Sequence, residues 1–378
     1  MRRFVCIVLV LTGMACGDDA PVMIDAASMQ DADAPLCQPL SAVGSFYRRT
    51  PNPRIVAGSH TYTGGALDTT LTDPDLLWDG SSWQLYWTSR AGSFAAPGAP
   101  VIRHASSADL ATWTIDDSVS GLTNGVEPSV IKLANGHYLM ARAVNGEIRL
   151  ALTSDTSPNM SSFVDVASPA LTPNQVFPGV AGAQLADPEL VLVGPTNYHM
   201  WFSSQDCANP TCAKKGIGHA TSNNSTEWTL DAAPVPSLLR ASADPATGGI
   251  TPSVIYDDVH CRWEMWLTND SPLTENDNQP TEDDNSVGVF HATSSNGTSW
   301  TISYSQIRDL VWDNTAAGEH LGLRAGADVA TKASGSGRYL IYTGYDDQNV
   351  PTGATLATRT GTTSGVMTLN LATRDAPP

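Results

Sequence analysis

A unit that recurs five times is the feature that most constrains what this chain can fold into. The first copy starts Asp73-Pro74-Asp75-Leu76-Leu77, turns at Asp79-Gly80 and runs through Trp83-Gln84-Leu85-Tyr86-Trp87 and Val101-Ile102-Arg103-His104-Ala105 to Trp113. The second starts Glu127-Pro128-Ser129-Val130-Ile131, and the third starts Asp187-Pro188-Glu189-Leu190-Val191 and closes at Trp228. The fourth starts Thr251-Pro252-Ser253-Val254-Ile255 and closes at Trp300. A degenerate fifth has Gly326-Ala327-Asp328-Val329 and then Arg338-Tyr339-Leu340-Ile341-Tyr342. Successive starts lie 54, 60, 64 and 75 residues apart.

Each unit holds three or four short runs of β-branched and aromatic residues bounded by Gly, Asn, Asp or Pro, which is the pattern of strands joined by turns. One four-stranded antiparallel blade with generous loops needs about 50–75 residues, and stacking blades buries faces that a single blade leaves wet. The expected fold is therefore all-β, a five-bladed β-propeller of four-stranded antiparallel blades over residues 45–378. A sandwich would not repeat one opening motif five times, and the coils of a solenoid are much shorter. Ring closure is expected from a segment near Ile55 or Tyr62 pairing with the last blade.

Ahead of the repeats lies a targeting segment. Arg2 and Arg3 precede an apolar run, Phe4 to Thr12, too short to span a bilayer. Residues 1–16 read as a signal peptide. The small residues before Cys16, with Asp18 and Asp19 just after it, read as a lipobox with Cys16 as lipid anchor; the other reading is an ordinary signal cleaved near Ala15. Residues 17–44, rich in Asp and Ala, read as a flexible acidic linker. The protein is thus expected to be exported, lipid-anchored at a bacterial outer membrane or cell surface, or otherwise secreted. Cys207 and Cys212 flank a turn and suit a short-loop disulfide, and Cys37 and Cys261 are a possible second pair.

The net charge of −18 excludes nucleic acid as a natural partner and suits neutral ligands such as sugars. A monomer is expected. No nucleotide-binding glycine loop or zinc motif is present, so no cofactor is implied. The acidic insertion Asp270 to Asn285 has carboxylates enough for a structural calcium but lacks a defined ligand pattern, which favours a solvated loop.

In a propeller the first strand of each blade lines the axis, so the five aligned strand starts, Asp73, Glu127, Asp187, Thr251 and Gly326, should meet at one mouth of the channel. Three convergent carboxylates are what glycosidic-bond hydrolysis requires: one activates water and a protonated one donates to the leaving oxygen. Asp-Pro and Glu-Pro are also ordinary turn chemistry. His104, His219 and His291 recur at one place in three units, which argues for packing rather than catalysis. Most of the tryptophans should be packing too.

The segments "DPDLLWDGSSWQLYWTS", "HASSADLATW" and "ADPELVLV" resemble the five-bladed glycoside hydrolases of family 43 and their relatives in family 32, over the whole repeat region. Ser106 or Ser107 through Asp109, Leu110 and Trp113 form an element typical of those blades. The resemblance implies Asp73 as general base and Asp187 as the carboxylate that orients the acid and tunes its pKa. The family's general acid, a fourth-blade Glu, is replaced by Thr251, and its axial histidine has no clear match; His320 is a weak substitute. Glu127 at the second-blade mouth is the candidate acid, with Asp244 as a loop alternative. Thr251, Arg324 and Trp78 are the candidate substrate-binding residues. Two readings stay open: a glycoside hydrolase acting on a neutral oligo- or polysaccharide, or a non-catalytic propeller that binds carbohydrate or protein.

Overall fold

A computed structural model describes residues 46–49, 52, 54–62, 68–93, 96–118, 120–122, 124–206, 213–231, 250–268, 288–302, 310–311, 322–332, 337–346, 357–359 and 363–374. Two short N-terminal strands, β1 (Tyr47–Arg48) and β2 (Ile55–Val56), come first. Blade I follows as β3 (Thr70–Trp78), β4 (Trp83–Ser93), β5 (Ala96–Ser107) and β6 (Thr114–Ile115). Blade II is β7 (Val126–Lys132), β8 (Tyr138–Val144), β9 (Glu147–Thr153) and β10 (Phe163–Asp165). A single helical turn, Pro173–Val176, leads to blade III: β11 (Ala183–Val193), β12 (Asn197–Asp206), β13 (Ala213–Ser222) and β14 (Thr229–Leu230). Blade IV is β15 (Ile250–Asp257), β16 (Arg262–Thr268), β17 (Gly288–Ser294) and β18 (Thr301–Ile302), with β19 (Leu310–Val311) added to β17. Blade V is β20 (Gly322–Thr331), β21 (Arg338–Asp346) and β23 (Thr363–Arg374), with β22 (Ala357–Arg359) paired to β23.

All pairings are antiparallel, and the five innermost strands β3, β7, β11, β15 and β20 neighbour one another in cyclic order. The structure is the five-bladed propeller that the repeat implies. Its last blade is completed from the N-terminus: Ile55 pairs with Leu369 in β23, and Tyr47 with Thr373. The segment near Ile55 therefore closes the ring. Tyr62 instead lies under the Arg103 guanidinium, 3.5 Å from its ring centre.

Strand alternation explains how each blade serves two neighbours. In β8, Tyr138 and Met140 pack with Tyr86 and Ile102 of blade I, whereas Leu139 and Ala141 pack with Leu185 and Met200 of blade III. The described residues contain five such hydrophobic clusters, one for each interface. Fully buried Trp83, Trp87, Trp201 and Trp266 fill these clusters, and their large apolar area is what a short-stranded fold relies on.

The recurrent histidines are packing groups. His104, His219 and His291 are buried, sit across the ladder from Tyr86, Trp201 and Trp266, and stack on those rings at 4.7, 4.5 and 5.0 Å. The Ser107–Trp113 element is a turn that recurs. Asp109 Oδ1 accepts from the amides of Ala111 and Thr112, Asn224 Oδ1 from those of Thr226 and Glu227, and Asn296 Oδ1 from those of Thr298 and Ser299. Short polar side chains are favoured there because they satisfy backbone donors locally.

Blades IV and V are also joined by a buried ion network. Arg338 Nη2 donates to Asp257 Oδ2 at 2.6 Å and to Glu264 Oε1 at 2.7 Å, while Arg374 Nη2 reaches Glu264 Oε2 at 3.0 Å. Burial would push the Glu264 carboxyl up; the nearby His291, with Nε2 3.3 Å away, and the charges of Arg338 and Arg262 outweigh that and hold it well below its usual value. Removing one member leaves buried charge uncompensated, so Arg338→Met is expected to cost about 3–5 kcal/mol of stability. Urea denaturation checks this, and a loss under about 1 kcal/mol would mean that the network is solvated rather than sealed.

Candidate active site at the propeller mouth

Every innermost strand slips register at its start. The breaks fall between Thr72 and Asp75, Val126 and Ser129, Ala186 and Glu189, Ile250 and Pro252, and Leu323 and Ala327. In four blades the bulged residue is left-handed, with φ of 52° at Asp73, 58° at Glu127, 45° at Asp187 and 53° at Thr251. The sequence accounts for the bulge, because the next residue is proline. Proline has no N–H to give the ladder and disfavours right-handed helical backbone in the residue before it. Left-handed backbone costs a non-glycine residue about 1–2 kcal/mol, more for β-branched Thr251, and such strain clusters where side chains are aimed for function.

The bulges turn these side chains into one narrow recess of about 20 Å³ on the axis, lined by Asp73, Glu127, Asp187 and Thr251. Asp187 is buried and the other three are half-buried. Glu127, Asp187 and Thr251 are tied to one another. The Asp187 amide donates to Glu127 Oε2 at 2.7 Å, and the Thr251 hydroxyl donates to Asp187 Oδ1 at 3.3 Å. Hydroxyls on second strands hold the bulges from behind: Thr88 Oγ1 accepts from the Glu127 amide at 2.7 Å, and Ser203 Oγ from the Thr251 amide at 3.3 Å.

Two residues further along each strand lies a second tier that sequence reasoning missed. Asp75, Ser129, Glu189, Ser253 and Asp328 are all buried and form a closed circuit. Each accepts from the backbone amide of the next blade: Asp75 from Val130 (3.1 Å), Ser129 from Leu190 (2.9 Å), Glu189 from Val254 (3.0 Å), Ser253 from Val329 (2.8 Å) and Asp328 from Leu76 (2.6 Å). Ser129 also donates to Glu189 (3.1 Å) and Ser253 to Asp328 (2.6 Å). The signal was present in the sequence, since the residue after each mouth proline or Ala327 reads Asp, Ser, Glu, Ser, Asp.

Burial and crowding raise the carboxyl pKa values of this inner tier. Asp75 and Glu189 are pushed well above their usual values by burial and by the Asp328 charge, and burial raises Asp328 to about 6. Oxygens of the three acids come within 4.8 Å of one another. Five of the six oxygens already accept backbone or serine hydrogen bonds, so the tier is built as a hydrogen-bonded ring and no metal is assigned to it.

Beyond the ring the axis opens into a cavity of about 750 Å³ at the opposite mouth, lined by Leu77, Trp78, Leu133, Leu192, Tyr256 and Lys332 among others. Trp78 therefore stands on the far side of the ring from Asp73. It packs on Trp83 at 5.2 Å, with Lys332 Nζ 4.3 Å from its ring centre, and does not face the carboxylate recess. Arg324 lies in β20 on the recess side of Asp328, but its side chain is outside the described residues. Cys16, Cys37, Cys207, Cys212, Asp244, His320 and the insertion Asp270 to Asn285 also fall outside them. Cys261 is disulfide-bonded.

No family model and no curated protein matches this sequence. Solved structures do. A family-62 α-L-arabinofuranosidase catalytic domain from Coprinopsis cinerea superposes with a TM-score of 0.58 at 12% identity, covering 88% of this chain and 97% of that one. A thermostable family-43 glycoside hydrolase gives 0.54 at 15% identity, covering 86% and 92%. An α-L-arabinofuranosidase from Podospora anserina in complex with cellotriose gives 0.57 at 11% identity, covering 89% and 99%. The chain thus has the fold of the five-bladed glycoside hydrolase propellers.

Relief of strain at the fourth mouth position is measurable. Thr251→Gly should raise stability by about 1 kcal/mol, because glycine takes left-handed backbone freely and the hydroxyl it loses makes only a long bond. A lower denaturation midpoint than the parent would show that the hydroxyl, not the backbone, decides the energetics there.

Proposed function

We propose that this protein is a glycoside hydrolase-like propeller that takes a neutral oligo- or polysaccharide at the Asp73 mouth and cleaves it by carboxylate acid–base chemistry. The convergence of Asp73, Glu127 and Asp187 on strained bulges in one recess carries this reading. In the mechanism, Asp73 removes a proton from the attacking water. Protonated Glu127 delivers its proton to the departing glycosidic oxygen, so one carboxyl gains the proton that the other loses. Asp187 supports Glu127 through its backbone amide and is itself held by Thr251. An inverting reaction would need the two working carboxyl groups about 6.5–9.5 Å apart. Structures of the same fold in complex with cellotriose and with xylotriose support a sugar as the ligand class. The acidic surface suits a neutral glycan, and lipidation at Cys16 would hold the protein at the cell envelope.

One observation favours a second reading, in which the propeller binds a glycan without cleaving it: Thr251, which cannot donate a catalytic proton, stands where the resemblance places the acid. A panel of chromogenic arabinosides, xylosides and fructosides separates the two. Release that falls about 100- to 10,000-fold in Asp73→Ala and in Glu127→Gln supports hydrolysis with Glu127 as acid. Release that depends on Asp73 but not on Glu127 removes Glu127 from the mechanism. Where the parent is inactive, Thr251→Glu, a side chain of the kind Glu127 already carries on the same backbone, is expected to create Asp73-dependent turnover. Sugar binding without turnover in both the parent and this variant supports the binding propeller.

A further inference from the structure

We propose that the axial ring is a proton-dependent clasp: Asp75, Glu189 and Asp328 share protons that hold the five blades closed, and loss of those protons loosens the ring. The clasp does not depend on whether the mouth hydrolyses sugar.

Geometry carries the argument. Three carboxyl groups with oxygens within 4.8 Å of one another, all buried, cannot bear three charges side by side without strong repulsion. A proton between two of them replaces that repulsion with an O–H···O bond. The same oxygens take the amides of Val130, Val254 and Leu76, so repulsion among them acts directly on contacts between blades I and II, III and IV, and V and I.

The surroundings supply no compensating cation among the described side chains. Besides the ring acids, the charged groups are Asp73 on β3 and Asp79 just after it; Glu127 and Lys132 on β7; Asp187 on β11; Asp257 on β15; and Arg324, whose side chain is not described, on β20, with Lys332 just after it. Lys132 and Lys332 stand at the far mouth, bonded to the Asp79 carbonyl and lying over Trp78. Asp257 is committed to Arg338. Asp73, Glu127 and Asp187, on the other side, are carboxyl groups as well and supply no positive charge.

The direction of the pH effect follows from the raised values. A carboxyl that holds its proton more tightly folded than unfolded stabilises the fold fully below its unfolded pKa, near 4, and loses that contribution as pH rises through the folded value. For Asp328, raised to about 6, this alone makes folding about 100-fold less favourable across the window. His199, lowered to about 4 mainly by burial, and His219, lowered likewise, act in the opposite sense. They lie in blade III and are shared by parent and variants, so they cancel in a comparison.

The test is denaturant unfolding of the whole chain between about pH 5 and pH 8, for the parent, Asp75→Asn and Glu189→Gln. These amides are neutral and keep an oxygen for the Val130 or Val254 amide. The parent should weaken as pH rises, and each variant should weaken at most half as much; parallel curves would overturn the clasp. Millimolar calcium or EDTA should leave the parent curve unchanged, and a calcium-dependent loss of the decline would make the ring a cation site instead. If neither variant folds, carbon-13 NMR of the parent's carboxyl groups decides. At least one should stay protonated above about pH 6, and titration of every carboxyl below about pH 5 would sink the idea.

Discussion

The rest of the structure depends on the circuit of five hydrogen bonds around the axis. A propeller blade is joined to its neighbour chiefly through the connecting chain, and the hydrophobic clusters between blades are not directional. The ring supplies direction. Each ring side chain accepts from the amide one residue beyond the ring position of the next blade, and the Asp328–Leu76 bond returns the circuit to its start. The five inner strands are thereby fixed at one height along the axis. Because the mouth residues precede the ring residues by two, they too are brought to one level.

The two tiers solve different problems with similar residues. At the mouth of four blades, a proline follows the first residue and favours a bulge, and the bulge aims a side chain inward at the cost of left-handed backbone. At the ring, the chain is back in register and the side chain is buried, short and bonded to the neighbouring blade. The order Asp, Ser, Glu, Ser, Asp sets a serine between neighbouring acids along most of the circuit, although all three acids bring an oxygen within 4.8 Å of the others across the axis. Only Asp328 and Asp75 are adjacent, where blade V meets blade I. A ring of five cannot alternate perfectly, so the odd blade number imposes one pair of like neighbours, which here are two acids. It falls where the chain's two ends close the propeller.

Much of this was legible in the sequence because it recurs. Five copies of a strand-start motif revealed the blades, and Asp73, Glu127, Asp187 and Thr251 were brought to one recess as the alignment implied. The structural role of His104, His219 and His291 was legible for the same reason. What was not legible needs the third dimension. Trp78 looks like a sugar platform in sequence, yet five residues of extended strand carry it to the other side of the ring. The raised carboxyl pKa values belong to the ring, where three buried acids bring oxygens within 4.8 Å of one another and burial is the first cause of each shift. Ring closure through Ile55 was visible only as a candidate, because a two-residue strand carries almost no pattern of its own.

The separation of tiers also lets the residues at the mouth vary apart from those that close the ring. Replacing a mouth residue leaves the ring bonds intact, because the ring begins two residues later. Thr251 illustrates this: its backbone keeps the bulge, its amide is held by Ser203 and its hydroxyl reaches Asp187, while the carboxyl that the resemblance calls for is absent. Replacing a ring residue instead disturbs two blades at once. Substitution should therefore be freer at the position that decides catalysis than at the one that decides closure. For that reason the shared fold cannot stand as evidence of shared activity, and the question of hydrolysis rests on what Glu127 does in the recess that it shares with Asp73.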